Sequence, residues 1–323
     1  MTGWTGGYVV EVPYTHGFYR ELTPTLIRLN AVLAGVKPPP SLGFNYCELG
    51  YGQGLSSAVL AAGNPAGYFY GTDFNPDHLL NLKQNTNAAG LENVTWFDDS
   101  FGEFNERNLP DFEFVTLHGI YSWVNDEVRS EIRSFLRRRV TSGGLVYISY
   151  NCLPGWGGAS GIRQILMEYA ARHVASSTPI DERISQAIAF LYRMRDAGSK
   201  YMQESQDVLA HVQRLLTLDK TYIAHEFLNR SWKSFYFTEL EQEMSEAKLA
   251  FVTSADVHEQ FDALCFKGDG LKLMQETKSS SLLQTVHDYL QNSTFRRDIF
   301  SRGRLMLNPS ERDKLLMNTR FVL

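Results

Sequence analysis

Glu48, Gly50, Gly52 and Gly54 occupy alternate positions within NYCELGYGQG, the stretch Asn45–Gly54. Glycines spaced this way let a chain turn sharply and let a ligand come close to the backbone, where a Cβ would stand in its way. A phosphate, a dinucleotide and a sulfonium cofactor are the candidate ligands. The third glycine follows the second by two residues, whereas the dinucleotide fingerprint is G-x-G-x-x-G. No Gly-Lys-Ser/Thr ending follows, which rules out a nucleoside-triphosphate loop on residue type. Glu48 narrows the choice further. Its carboxylate would repel a pyrophosphate, but it can bind a cationic amino or sulfonium group directly or through water.

Two more polar groups stand at comparable places. Asp73, in GTDFNP, can accept hydrogen bonds from both hydroxyls of a ribose, and Asp98-Asp99-Ser100 can meet an adenine amino group. Acid, glycine loop, ribose acid and adenine clamp together describe S-adenosylmethionine better than NAD.

The elements that would position these groups follow from periodicity. Short β-rich runs at 44–49, 67–73, 93–97, 112–118 and 143–150 alternate with helix-like stretches at 55–63, 76–88, 101–106 and 125–139. Such alternation predicts an α/β protein with a parallel, doubly wound sheet, whose ligand crevice lies at the strands' carboxyl ends. Pro38-Pro39-Pro40 separates an N-terminal segment, 1–40, in which PYTHGFY (13–19) reads as a lid. The core spans 41–158. Residues 159–220 read as a helical insertion: Thr178-Pro179 is an N-cap with proline at the first helical position, and Ile184, Ala187, Ile188, Leu191 and Tyr192 share one face. In 221–270, Thr238 and Glu241 suggest a capping box, and 249–257 and 262–268 read as strands completing the sheet. Residues 271–323 read as helical with a loop near Asn308-Pro309, and the basic stretch 295–323 as a solvated or docking face.

Composition sets outer bounds. The 323 residues are 43% hydrophobic and 21% charged with a net charge of −5, so no global basic signal points to nucleic acid or a membrane surface. Cys47, Cys152 and Cys265 are widely separated and odd in number, which argues against a disulfide framework or a zinc site, and no metal is expected. No apolar run approaches the roughly 18 residues of a membrane helix. A reducing cytoplasm is the natural inference.

ELGYGQG, GTDFNP and LHGIYSWV together resemble a class I S-adenosylmethionine-dependent methyltransferase. YNCLPGW, HEFLNRSWKSFYFTEL and FRRDIF are similar to the bacterial methyltransferases that carry a methyltransferase regulatory domain, a group that includes rickettsial protein lysine methyltransferases. The resemblance covers roughly Tyr14 to Phe300. Many members of that group continue beyond the FRRD region, whereas this sequence ends at Leu323, so it reads as a shorter branch or a trimmed chain.

The resemblance implies a Rossmann-like core of seven strands and S-adenosylmethionine contacts from Glu48, Gly50, Gly52, Gly54, Asp73, Phe74, Asp98, Asp99, Ser100, His118 and Gly119. It also implies methyl transfer to a protein lysine or another amino group. A small-molecule acceptor and a non-catalytic binding or regulatory module are the alternatives. Among residues that follow the fourth and fifth strands, Tyr121 and Asn151 are the candidate catalytic pair. Tyr14, Tyr19, Trp123, Tyr150 and Trp156 are the candidate acceptor contacts. His225 and Glu226, which open HEFL, read as a structural link.

Overall fold

The computed structural model describes residues 17–320 except 176, 216, 219 and 279. Tyr14, and with it most of the expected lid, lies outside the described residues. Among the described residues, seven strands form one sheet in the order β3-β2-β1-β4-β5-β7-β6. These are β1 (Asn45–Leu49), β2 (Tyr68–Thr72), β3 (Val94–Phe97), β4 (Phe112–Leu117), β5 (Val140–Asn151), β6 (Ala250–Ser254) and β7 (Phe295–Ser301). The first five pair in parallel, and β7 runs antiparallel between β5 and β6.

Helices cover both faces, as parallel pairing requires. On one side lie α1 (Pro24–Leu33), α2 (Leu55–Gly63) and α3 (Pro76–Ala88), whose apolar residues pack with Tyr46, Phe69 and Phe114. On the other lie α4 (Phe101–Glu106), α5 (Asp126–Arg139) and, after an intervening helical region, α11 (Phe237–Glu246). That region comprises α6 (Gly157–Arg172), α7 (Ile180–Asp196), α8 (Lys200–Gln203), α9 (Gln206–Leu215) and α10 (Lys220–Phe227). It encloses a core of its own, including Leu166, Leu191 and Val212. The chain closes with α12 (Asp262–Cys265), α13 (Gly268–Thr277), α14 (Leu283–Gln291) and α15 (Pro309–Met317). No described helix is long and apolar enough to cross a membrane.

Several helix starts are written locally. Asn75 caps α3 by accepting the Asp77 N–H, with Pro76 at the first position. Ser100 and Glu103 form a capping box on α4. Asn125 caps α5, whose acidic first turn and triple-arginine last turn both oppose the helix dipole.

The sequence reading needs correction at four places. The expected strand at 262–268 is instead α12 and the start of α13, and the seventh strand is β7, inside the stretch read as helical. β7 is hard to see because its charges look like surface. They are buried and mutually paired: Arg296 reaches Asp298 at 2.9 Å and Asp288 at 2.6 Å, and Tyr150 donates to Asp298 at 2.6 Å. The basic stretch is therefore not wholly a solvated face. Asn308-Pro309 begins a helix, with Asn308 as its cap. The start of α11 lies two residues before the expected capping box, where Glu239 accepts the Tyr236 backbone N–H at 2.9 Å.

Candidate functional site

β1 and β2 end side by side, with Leu49 opposite Thr72. Glu48 and Asp73 therefore meet at one edge of the sheet with the glycine loop between them. Gly50, Gly52 and Gly54 hold φ values of +77°, +56° and +72°, in the left-handed region that favours glycine. Their surroundings differ. A Cβ on Gly50 would strike Ile120 at 2.3 Å and one on Gly54 would strike Leu82 at 2.6 Å, whereas one on Gly52 meets nothing within 4 Å. The first and third glycines permit packing; the middle one faces open space.

That space is a cleft open to solvent, walled by the glycine loop, Asp73, Phe101 and the loop after β4. Asp73, 6% exposed, is braced in its wall: its carboxylate accepts from Gly52 N at 2.8 Å and Asn75 N at 3.1 Å and lies 3.0 Å from His78 Nδ1. His78 is a missed participant. Its signal was present, because an Asn75-Pro76 helix start places the residue three beyond the cap beside the preceding aspartate. Glu48 also lines the cleft and is 3% exposed, with Ser57 Oγ donating to it. Burial pushes the Glu48 carboxyl up to about 7, against the Ser57 hydrogen bond and with a smaller push from the charge of Asp73.

The expected adenine clamp divides. Asp98 is exposed and is not part of the cleft wall. Asp99 and Ser100 line it, but the Asp99 carboxylate is held bidentately by Arg107, with both contacts at 2.8 Å, and Ser100 caps α4. Apolar walls come from Phe101, Ile120, Val124 and Val128.

At the end of β4, His118 Nδ1 lies 2.9 Å from the Tyr147 hydroxyl, and Gly119 N donates to Ser149 Oγ at 2.8 Å. Burial and the nearby Arg297 push the imidazole down to about 3, so His118 stays neutral near pH 7 and cannot store a proton there. The Tyr19 ring stacks on it at 3.9 Å, and Tyr19 N donates to Ser56 Oγ at 3.0 Å. Gly17 and Tyr19 thus bring the N-terminal segment to the cleft. Phe74 and Gly119 line it as well.

Residues 219–302 match the family described as a predicted methyltransferase regulatory domain. The chain is 40% identical over 321 residues to the protein sll1526 of Synechocystis sp., covering 99% of this chain and 63% of that protein. It is 27% identical over 309 residues to RP789 of Rickettsia prowazekii, covering 92% of this chain and 53% of that one. The chain therefore spans between half and two thirds of the length of these relatives. Among solved structures, PKMT2 from Rickettsia typhi in complex with AdoHcy superposes with a TM-score of 0.75 at 21% identity, over 93% of this chain and 56% of that one. The fold is that of the class I methyltransferases.

In open α/β sheets ligands bind beyond the carboxyl ends of the strands, and this cleft lies beyond those of β1, β2 and β4. The fifth strand behaves differently from the expectation. β5 runs past the end of β4 and stays paired with β7 through Asn151, opposite Phe295. Tyr150 and Asn151 are thus the last two rungs of the β5–β7 ladder and do not follow the strand. Both are buried away from the cleft, with Asn151 Nδ2 donating to Glu226 at 2.8 Å. Tyr121 is likewise enclosed, its hydroxyl donating to Glu243 and accepting from Arg133 at 3.1 Å. Trp156 packs against Trp232 and Phe227 in the helical region. Of the described residues expected to meet the acceptor, Tyr19 and Trp123 line the cleft; Tyr121, Asn151, Tyr150 and Trp156 do not.

Proposed function

We propose that the chain binds S-adenosylmethionine and transfers its methyl group to an amino nitrogen, a protein lysine being the favoured acceptor class. The observation that carries this reading is the convergence of Glu48, the open face of Gly52 and the braced Asp73 in one cleft. AdoHcy in the PKMT2 complex supports the same cofactor. When bound, S-adenosylmethionine supplies an already activated methyl group, so the protein's work is alignment and exclusion of water.

The residues fit that role. Glu48 offers a buried carboxylate to a cationic amino-acid tail, Asp73 offers its oxygens to ribose hydroxyls, and Phe101, Ile120 and Val128 flank an apolar slot suited to a base. The acceptor amine has to react uncharged, because an ammonium has no lone pair, and His118, kept neutral by burial, does not store its proton. Tyr19 and Trp123 present aromatic faces that can steer a cationic or methylated amine.

Calorimetric titration with S-adenosylmethionine, S-adenosylhomocysteine and NAD is the direct test, followed by labelled-methyl transfer to cell extract and mapping of the modified nitrogen. Binding of the two sulfur ligands but not NAD, with label on lysine, is expected. Binding without transfer to any fraction would favour a non-catalytic module, and label confined to metabolites would replace the protein acceptor with a small one. Asp73→Ala is expected to weaken S-adenosylhomocysteine binding by about 1–3 kcal/mol through lost ribose hydrogen bonds. It should also lower the melting temperature, because Gly52 N, Asn75 N and His78 lose their partner. Unchanged affinity would remove Asp73 from the site.

A further inference from the structure

The loop after β4 gives the cleft Ile120, Trp123 and Val124; Arg129 of α5 holds it locally through the Tyr121 and Val124 carbonyls, and further bonds come from a distant part of the chain. Asn229 Nδ2 donates to the Trp123 carbonyl at 2.9 Å, and Lys233 N donates to the Ser122 carbonyl at 2.8 Å. The His225 ring lies parallel to the Trp123 indole, 5.7 Å away and tilted by 5°. Behind this layer Glu226, 6% exposed, accepts from Asn151 Nδ2 at 2.8 Å and from Trp232 Nε1 at 2.7 Å, and it is also hydrogen-bonded to the Trp123 side chain. Asn151 in turn donates its backbone N–H to Ser122 Oγ at 2.8 Å, so a continuous chain of hydrogen bonds leads from α10 to the cleft loop.

The same carboxylate-bearing segment is fastened to the helical region. Arg163 of α6 donates to the Glu226 carbonyl at 3.1 Å and to the Asn229 carbonyl, and its guanidinium lies 4.7 Å over the Trp232 ring. Trp232, Ile223 and Phe227 pack into the core formed by α6, α7 and α9. Residues 225–233 all fall inside the stretch that matches the regulatory-domain family. Burying a carboxylate is costly unless its hydrogen bonds are met, and the donors of Asn151 and Trp232 meet those of Glu226. In return the carboxylate fixes the geometry of the residues bound to it.

We propose that Glu226 is a positioning residue for the cofactor-cleft wall: through Asn151 and Ser122, with His225 and Asn229 beside it, it fixes Trp123 and ties ligand affinity to the packing of the helical region. The proposal rests on the reading of the cleft as a cofactor site. Arg163, Asn229 and Glu226 would then transmit any shift of α6–α10, such as one caused by an acceptor docking there, to the cleft.

The test uses the whole chain and two readouts: S-adenosylhomocysteine affinity, and the Trp123 fluorescence obtained as the difference between each protein and its Trp123→Phe counterpart. Glu226→Ala should weaken binding roughly tenfold, since the buried donors of Asn151, Trp232 and Trp123 lose their acceptor, and should shift the Trp123 emission to the red. Glu226→Gln should restore a large part of both, because its amide oxygen can accept from Asn151 and Trp232 while its NH2 group cannot accept from Trp123. Unchanged affinity and emission in Glu226→Ala overturn the proposal, as does a loss in Glu226→Gln equal to that in Glu226→Ala. Should Glu226→Ala not fold, Trp232→Phe carries the test, since it keeps a ring and removes one donor; no change in Trp123 emission there is likewise an overturning result. If the unaltered chain binds no S-adenosylhomocysteine, the reading of the cleft fails, and the emission shift alone decides whether Glu226 holds Trp123.

Discussion

Gly52→Val is expected to abolish the proposed S-adenosylmethionine binding while leaving the sheet folded. The valine would sit at φ +56°, a strain of about 1–3 kcal/mol, which a domain of this size absorbs in part. Nothing stands within 4 Å of the new Cβ, so the side chain projects into the open cleft and occupies the ligand's approach to the backbone. Gly54→Val makes the contrast. There the Cβ would meet Leu82 at 2.6 Å at the start of α2, and loss of the fold is expected instead. Calorimetry and thermal melts on the pair separate the two roles. Normal binding by Gly52→Val would reduce the loop to a plain turn.

Glu48→Gln should divide stability from binding in opposite directions. In the folded protein the carboxyl ionises near 7, above its ordinary range, so folding favours the protonated form. The native state then holds more protons than the unfolded chain between about 4.5 and 7, and stability falls as pH rises through that window. Above it, the ionised buried carboxylate costs on the order of 3 kcal/mol, which Glu48→Gln removes while keeping an acceptor for Ser57. The ligand-free variant should therefore melt higher than the parent at pH 8 and about equally at pH 4.5. Cofactor affinity should move the other way. In the parent it rises with pH up to about 7 and then levels, as Glu48 gains the charge that a cationic tail needs. In the variant it should be weak and nearly independent of pH. A parent whose affinity is flat from pH 5.5 to 8 would exclude Glu48 from contact with the cation.

Binding and folding separate here because Gly52 adopts its positive φ without strain, whereas buried Glu48 carries an electrostatic cost that the fold does not recover by itself.

Local chemistry was legible in the sequence wherever a short stretch carries its own constraint. The glycine spacing, the acids closing the first two strands, the Asn75-Pro76 and Ser100 helix starts and the βα alternation each act over a few residues. The structure places Glu48, Asp73 and the three glycines in one cleft, as that spacing implied. What was missed depends on partners that the short-range pattern does not reveal. β7 was hidden because Arg296 and Asp298 look solvated until Asp288 and Tyr150 are brought to them. Asn151 looked like a group beyond the fifth strand because its ladder partner, Phe295, lies 144 positions later. Asp99 looked free until Arg107 folded back onto it. A residue's type and near neighbours determine which contacts it can make; only the packed sheet and its helical cover decide whether water, ligand or another side chain makes them.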